Sequence, residues 1–160
     1  MNTPKTITSY LYKDQAEEAA RFYTGIFPGS QMGPLTPYPE SVNNMAKGSV
    51  LTAEFIMFGR SFIAINCGGD VPFSEGVSTQ VLCETQDEID FYWDKLLEGG
   101  GKEVACGWLK DKFGMSWQIT PSMMKDLLGT TDREKAARVM REMMTMKKMD
   151  IARLKAAYEA

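Results

Sequence analysis

Residues 16–30, AEEAARFYTGIFPGS, carry a pattern that returns 70 positions later in residues 86–100, QDEIDFYWDKLLEGG. In each copy an aromatic pair is followed by an apolar pair and then by glycine. The matching positions are Phe22-Tyr23 with Tyr92-Trp93, Ile26-Phe27 with Leu96-Leu97, and Gly29 with Gly99. Because this spacing keeps apolar side chains on one helix face and glycine ends a helix, each copy predicts an amphipathic helix.

A second pattern marks a hairpin turn in each half of the chain. Phe58-Gly59-x-Ser61-Phe62 returns 55 positions later as Phe113-Gly114-x-Ser116-Trp117. Glycine between two apolar runs is typical of a tight turn between antiparallel strands, and we place the first turn at Gly59-Arg60. The predicted strands are 5–12, 49–58, 61–67, 77–83, 103–109 and 115–120.

The two patterns occur in the same order, which indicates an internal repeat. We predict an α+β fold in which two strand–helix–strand–strand–strand (βαβββ) modules form a single domain over residues 1–160. The first module spans 5–67, the second 77–120, and a helical tail spans 121–160.

Capping signals predict where the helices begin. Asp14 and Thr131 are each followed three residues later by glutamate, the spacing of a capping box. The predicted helix starts are Asp14, Thr85 or Asp87, Thr131 and Asp150, and we expect the helix from Thr131 to continue for about four turns, towards Lys148.

The composition limits the chemistry, because the chain contains no histidine. This excludes histidine-dependent triads and histidine metal ligands. The net charge of −3 gives no reason to expect a nucleic-acid partner. No apolar run is long enough for a membrane span and the first residues lack a signal sequence, so we expect a cytoplasmic protein. Of the three cysteines, Cys83 and Cys106 are predicted in the core and Cys67 at an accessible turn.

The tandem modules, with helix ends FYTGIFPGS and YWDKLLEGGG, resemble the vicinal oxygen chelate superfamily, which has the glyoxalase-like fold. The stretches AEEAARFYTGIFPGS, VLTAEFIMFGRSFIAIN and CGWLKDKFGMSWQITP resemble its PhnB-like branch, which carries the name 3-demethylubiquinone-9 3-methyltransferase domain. The resemblance covers nearly the whole chain. It implies a curved sheet around a cup, and it leads us to expect a homodimer.

The resemblance also implies where a metal would bind, since the superfamily places ligands on the first and fourth strands of each module. Counted onto this chain, the four positions are Thr8, Ile63, Ser78 and Gln118. A shift of strand register by one residue would replace some of them with Ala64, Asn66 or Gln80. Neither set contains a charged ligand, so we predict no metal and no other cofactor.

Without a metal, the cup predicts a binding site for a small neutral or weakly anionic molecule. We expect Thr8, Tyr10, Ser78 and Gln118 to line it, with Trp117 on the opposite side of its strand. The alternative is that these groups satisfy one another inside a filled barrel.

Three further residues have both a functional and a structural interpretation. Glu54 is the only carboxylate in its strand and is a candidate general base, although we favour a solvent-facing position. Asp111 lies between two lysines, which favours a solvated charge cluster. Trp108 could line a pocket mouth, and a core or dimer contact is the favoured interpretation.

Methionines in the tail predict a docking face. Val139, Met140, Met143 and Met144 fall on one helix side, which favours packing on the sheet or on a second subunit. Copper binding is disfavoured, because no cysteine or histidine lies near them in the sequence.

Three functions remain open at this point. The first is a metal-free protein that binds a small molecule, with no assigned reaction. The second is an enzyme of the superfamily, either metal-dependent or working by acid–base chemistry, of the lyase, isomerase, dioxygenase or resistance type. Methyl transfer is disfavoured, because the connection 13–15 before the first helix has no glycine for a nucleotide-type loop. The third is an interaction module whose cavity is filled.

Overall fold

Each half of the chain forms a four-stranded sheet. The computed structural model describes residues 5–160, which divide into one unit ending at Pro72 and a second unit, Phe73–Ala160. The first unit contains β1 (Thr8–Tyr12), α1 (Ala16–Ile26), β2 (Gln31–Pro37), β3 (Val50–Met57) and β4 (Arg60–Asn66). The second contains β5 (Ser78–Cys83), α2 (Gln86–Leu97), β6 (Lys102–Glu103), β7 (Trp108–Lys110), β8 (Ser116–Pro121), α3 (Met124–Gly129), α4 (Arg133–Met143) and α5 (Ile151–Glu159). The predicted α+β class with tandem βαβββ modules is confirmed.

The two sheets share one topology. The strand order is β1-β4-β3-β2 in the first unit and β5-β8-β7-β6 in the second. In each sheet the first strand of the module runs parallel to the last, and the other pairs are antiparallel. The predicted internal repeat is therefore present in the hydrogen-bond ladders as well as in the sequence.

The first unit has its core between α1 and the sheet. The predicted helix face is confirmed, with Ala19, Ala20 and Tyr23 fully buried. The small alanines let the helix approach the strands closely, and the Tyr23 ring lies 6.2 Å from Phe55. Burial of these rings supplies much of the stability of so small a unit.

The hairpin between β3 and β4 turns one residue earlier than predicted. Met57 pairs with Arg60, so the turn consists of Phe58 and Gly59, both left-handed at φ 54° and 69°. A two-residue turn with this backbone suits the twist of antiparallel strands. The Phe58 ring contacts Phe27, with centroids 4.7 Å apart, which helps to offset the strain of a non-glycine residue at positive φ.

Two of the predicted helix caps are confirmed. Thr85 and Glu88 form a capping box at α2, and Asp150 accepts a hydrogen bond from the Arg153 amide at α5. At α4 the cap is Asp132 and not Thr131, and the helix ends at Met143, well before Lys148.

The predicted cap at α1 is wrong. Neither Asp14 nor the N-cap residue Gln15 caps this helix with its side chain. The Ala16 amide instead donates to Asn66 Oδ1 at 2.8 Å. Asn66 lies on β4, far away in sequence, so no local pattern could have revealed it.

The strand predicted over 103–109 is divided into β6 and β7 by a turn. Cys106 and Gly107 are left-handed at φ 57° and 80°. Their amides donate to the carbonyl oxygens of Met146 and Lys147 at 2.8 and 2.7 Å. The segment after α4 therefore fixes the shape of this turn.

The predicted helical tail 121–160 contains α3, α4 and α5, although its first residue, Pro121, still belongs to β8. Helix α4 buries Ala136 and Val139, whereas Met140 and Met144 are 43% and 63% exposed, so the predicted methionine face is only partly buried. A cysteine does accompany the methionines in space, since Cys106 Sγ lies 3.6 Å from Met144 Sδ. Within residues 5–160, no helix is long and apolar enough to cross a membrane.

Candidate functional site

The open face of the second sheet carries two cross-strand pairs of neutral polar side chains. Gln118 Nε2 donates to Ser78 Oγ at 2.8 Å, and Gln80 Nε2 donates to Thr120 Oγ1 at 3.1 Å. Trp117 is fully buried on the other side of β8. Because side chains alternate along a strand, these polar groups share the face turned away from α2. The structure thus brings Ser78 and Gln118 together, with Trp117 opposite, as the sequence predicts.

A cavity of about 380 Å³ lies beside this polar row. The half-buried Trp108 side chain, Lys110 and Ser116 line one side, and residues 104–106 line another. Trp108 pairs in register with Gln118, so the cavity and the polar row occupy neighbouring strands. Trp108 therefore lines a pocket and is not a core residue, and the predicted dimer contact stays a prediction.

One ion pair lies in the cavity. Glu75, from the segment between β4 and β5, accepts a hydrogen bond from Lys110 Nζ. The side chain of Lys110 is 33% exposed and that of Glu75 is 76% exposed. The hydrogen bond and the charge of Lys110 lower the pKa of Glu75 below its ordinary value. Glu75 is therefore ionised at neutral pH.

Cys106 forms part of the cavity wall, so its predicted core position is wrong. The short apolar run around Cys106 is typical of a strand, whereas the residue lies in the left-handed turn that the tail holds in place. Cys83 is buried as predicted. Burial raises the pKa of its thiol to about 11, with smaller contributions from Glu88 and Glu84.

These positions predict how the thiols react. Near pH 8 we expect a disulfide-exchange reagent to label Cys67 and Cys106 readily in the native protein. Cys83 should react only after unfolding, because its raised pKa leaves almost no thiolate and burial denies access. Counting released thiolate by absorbance tests this, and Cys106→Ser should remove one fast-reacting group. Rapid native labelling of Cys83 would contradict the assignment.

The predicted facing of Thr8 and Tyr10 in the first unit is wrong. Tyr10 is 8% exposed and its ring lies 5.6 Å from Phe62 and 6.3 Å from Tyr23, so it belongs to the core under α1. Thr8 is exposed, and by alternation it shares the side of Tyr10. Neither side chain is on the open face of its sheet.

The error comes from the connection between strand and helix, which is one residue longer in the first module. Thr8 pairs with Phe62, and Thr79 pairs with Trp117, so the first strands match at a spacing of 71 and not 70. The counterpart of Ser78 is then Ile7. A one-residue slip moves every side chain to the opposite face.

Glu54 is exposed, as predicted, on the open face of the first sheet. It lines a cavity of about 230 Å³ with Met32 and Ser61, and it pairs in register with Ile63. Gly33 brings β2 so close that an added Cβ would lie 3.0 Å from the Glu54 carbonyl oxygen. An exposed carboxylate among apolar neighbours gives no support to a role as a general base.

Asp111 is buried, and the predicted solvated cluster is wrong. It is 3% exposed and accepts hydrogen bonds from the amides of Phe113 and Met115 at 2.9 and 3.0 Å, and from Trp117 Nε1 at 2.9 Å. Of the flanking lysines, Lys110 bonds Glu75, and the Lys112 ammonium lies 4.9 Å from the centroid of the Phe113 ring. Asp111 therefore fixes the β7–β8 hairpin that carries Lys110 and Ser116.

Comparison with known families agrees with this fold. A family model described as 3-demethylubiquinone-9 3-methyltransferase matches residues 4–120. The chain belongs to this family. It is PhnB-like, and the family is part of the glyoxalase, or vicinal oxygen chelate, superfamily.

Solved structures have the same fold. The PhnB protein of Bacillus cereus is 32% identical, with a TM-score of 0.66 over 74% of this chain and 99% of its own. A Pseudomonas aeruginosa protein is 16% identical, with a TM-score of 0.60 over 74% of this chain and 98% of its own. The fosfomycin resistance protein FosX of Mesorhizobium loti is 11% identical, with a TM-score of 0.55 over 81% of this chain and all of its own. The last two show the fold alone. No functionally curated protein is significantly similar in sequence.

The metal implied by the superfamily does not fit the residues of this PhnB-like chain. In the second unit the relevant positions are Ser78 and Gln118, which hydrogen-bond each other. In the first unit the structural counterparts are Ile7 and Ile63, which are hydrocarbon side chains. Of the alternatives, Asn66 is occupied as the cap of α1. Within residues 5–160, no three histidine, cysteine, aspartate or glutamate side chains are grouped closely enough to hold a metal ion.

Proposed function

We propose that this PhnB-like protein binds a small molecule on the open face of its second sheet, without a catalytic metal. The observation that carries the proposal is the neutral polar row of Ser78–Gln118 and Gln80–Thr120 beside a cavity lined by Trp108. A cavity of about 380 Å³ is in the size range of small-molecule sites, which combine apolar walls with a few polar groups.

In this proposal the polar row orients the ligand, and Trp108 provides contact area for it. The Gln118 amide and the Ser78 hydroxyl can each donate and accept hydrogen bonds, and both lie on this face. A polar group of the ligand can therefore replace one of them as the hydrogen-bond partner of the other. The Trp108 ring offers a flat apolar surface for a planar ligand. Such a site favours a neutral or weakly anionic molecule.

The proposal assigns no reaction and no methyl transfer. The α1 N-terminus is occupied by Asn66, and the α2 N-terminus is closed by the Thr85 and Glu88 capping box. The Ala16 amide of α1 and the Glu88 amide of α2 therefore already have acceptors from the chain itself. The superfamily's enzymes remain the alternative class, but no residue described above favours one of their reactions.

The three tryptophans allow a direct test. Trp93 and Trp117 indoles donate to Glu103 and Asp111 and are nearly fully buried, whereas Trp108 lines the cavity. We expect small neutral heteroaromatic amides such as nicotinamide, at about 1 mM, to shift only the Trp108 indole N–H signal in NMR spectra of untagged, chelator-treated protein. Trp108→Phe assigns that signal.

Gln118→Leu is the matched variant for this test. It keeps the side-chain size while removing the amide, so binding should weaken by roughly threefold or more as a hydrogen bond is lost. Retained affinity in a folded Gln118→Leu protein would contradict the polar row as the site. Failure of every amide to shift the Trp108 signal would contradict the proposed function.

A further inference from the structure

We infer that the ligand of this cavity carries a carboxylate, which replaces Glu75 on Lys110 while the rest of the ligand lies along Trp108. This inference rests on the proposed function and names the chemical class of its ligand. The geometry behind it is that a carboxylate of the chain's own already occupies the cation of the cavity.

Glu75 can be displaced readily from Lys110. It belongs to the segment between β4 and β5, outside regular structure, and its side chain is 76% exposed even while it bonds Lys110. An exposed ion pair contributes little stability, because water solvates both partners well when they separate. A ligand carboxylate can therefore displace Glu75 at small cost, and the freed glutamate returns to solvent.

Lys110, in contrast, is held in the cavity wall by a strand. It lies on β7, its side chain is one-third exposed, and it pairs in register with Ser116 on β8. Ser116 is 3% exposed and lines the same cavity, on the same side of the sheet as Lys110. The Lys110 ammonium is a suitable receptor for one carboxylate.

The charged residues that line the cavity favour a ligand with a single negative charge. Lys110 is the cation and Glu75 the anion among the residues that line the cavity, so the cavity is neutral with Glu75 present. When Glu75 leaves, a single positive charge remains, which one carboxylate neutralises. The lowered pKa of Glu75 means that it stays ionised and competes with the ligand at neutral pH.

Benzoate and its neutral analogue benzamide test the inference, with affinity read from the Trp108 indole signal. Glu75→Gln removes the competing charge, so benzoate should bind roughly threefold more tightly while benzamide changes little. Lys110→Met keeps the apolar stem and removes the ammonium, so benzoate binding should fall to the level of benzamide or below. Added salt should weaken benzoate binding alone.

Glu98→Gln is the control for the change in net charge. Glu98 is also exposed and paired with a lysine, Lys95, but on α2. It should leave benzoate affinity unchanged. If benzamide binds normally but benzoate gains nothing from Glu75→Gln, or keeps its affinity in Lys110→Met, the carboxylate inference is overturned and the proposed function stands. If neither compound shifts Trp108 in any variant, both are overturned.

Discussion

Replacing Asp111 with alanine should destabilise the second unit by about 4 kcal/mol, because three donors lose a buried charged acceptor together. The amides of Phe113 and Met115 and the indole N–H of Trp117 all donate to this carboxylate, which is 3% exposed. In the alanine variant these donors lose the acceptor that holds the β7–β8 hairpin together.

Asparagine at the same position separates hydrogen bonding from charge. Oδ1 accepts from both backbone amides, so Asp111→Asn can keep those two bonds. Its amide nitrogen would then face the indole N–H of Trp117, and two donors would oppose each other. We expect a loss of about 2 kcal/mol, intermediate between the wild type and alanine.

Urea unfolding followed by tryptophan fluorescence measures these effects, since all three tryptophans lie in the second unit. Asp94→Ala is the control, because Asp94 is exposed and should change stability by less than about 0.5 kcal/mol. An Asp111→Ala protein as stable as the control would show that the carboxylate does not support the hairpin.

The Asp111 case shows where local sequence patterns fail. Lysines on both sides of Asp111 indicate a charged turn, and in the structure both lysines are only half-buried. Burial of the residue between them depends on how the turn folds back, and on Trp117 reaching it from β8. Helix faces and the Thr85 capping box were predictable because their partners lie within four residues.

The candidate site also has some parts that the sequence predicts and others that it does not. The Ser78 and Gln118 pair was predictable because each side chain alternates on a strand whose position the sequence indicates. Thr8 and Tyr10 were placed by carrying the repeat spacing across a connection that differs in length by one residue. The cavity itself was not predictable, since its walls depend on Cys106 held by the tail and on Glu75 from an irregular segment.

Asn66 should prove as important to the first unit as Asp111 is to the second. Its side chain joins three elements, accepting from the Ala16 amide of α1 at 2.8 Å and donating to the Val50 carbonyl of β3 at 2.9 Å, while its backbone lies on β4. Asn66→Leu preserves the approximate size but removes both bonds. We expect a loss of about 3 kcal/mol, because a buried helix N-terminus and a carbonyl are left without partners.

Asn66→Asp and Asp14→Ala distinguish capping from mere proximity to the helix. Aspartate keeps the acceptor for Ala16 and places negative charge at the helix N-terminus, but it opposes the Val50 carbonyl, so an intermediate loss is expected. Asp14→Ala should change stability by less than about 0.5 kcal/mol, because Asp14 does not cap α1.

Amide hydrogen exchange is the decisive measurement, since it reports on each helix end separately. In Asn66→Leu, protection should fall first at Ala16 and then through the first turn of α1, while the amides of α2 keep their wild-type rates. If Asp14→Ala instead exposes the Ala16 amide and Asn66→Leu does not, the helix is capped locally. The long-range bond from β4 would then be incidental, and the sequence-based cap would be the correct one.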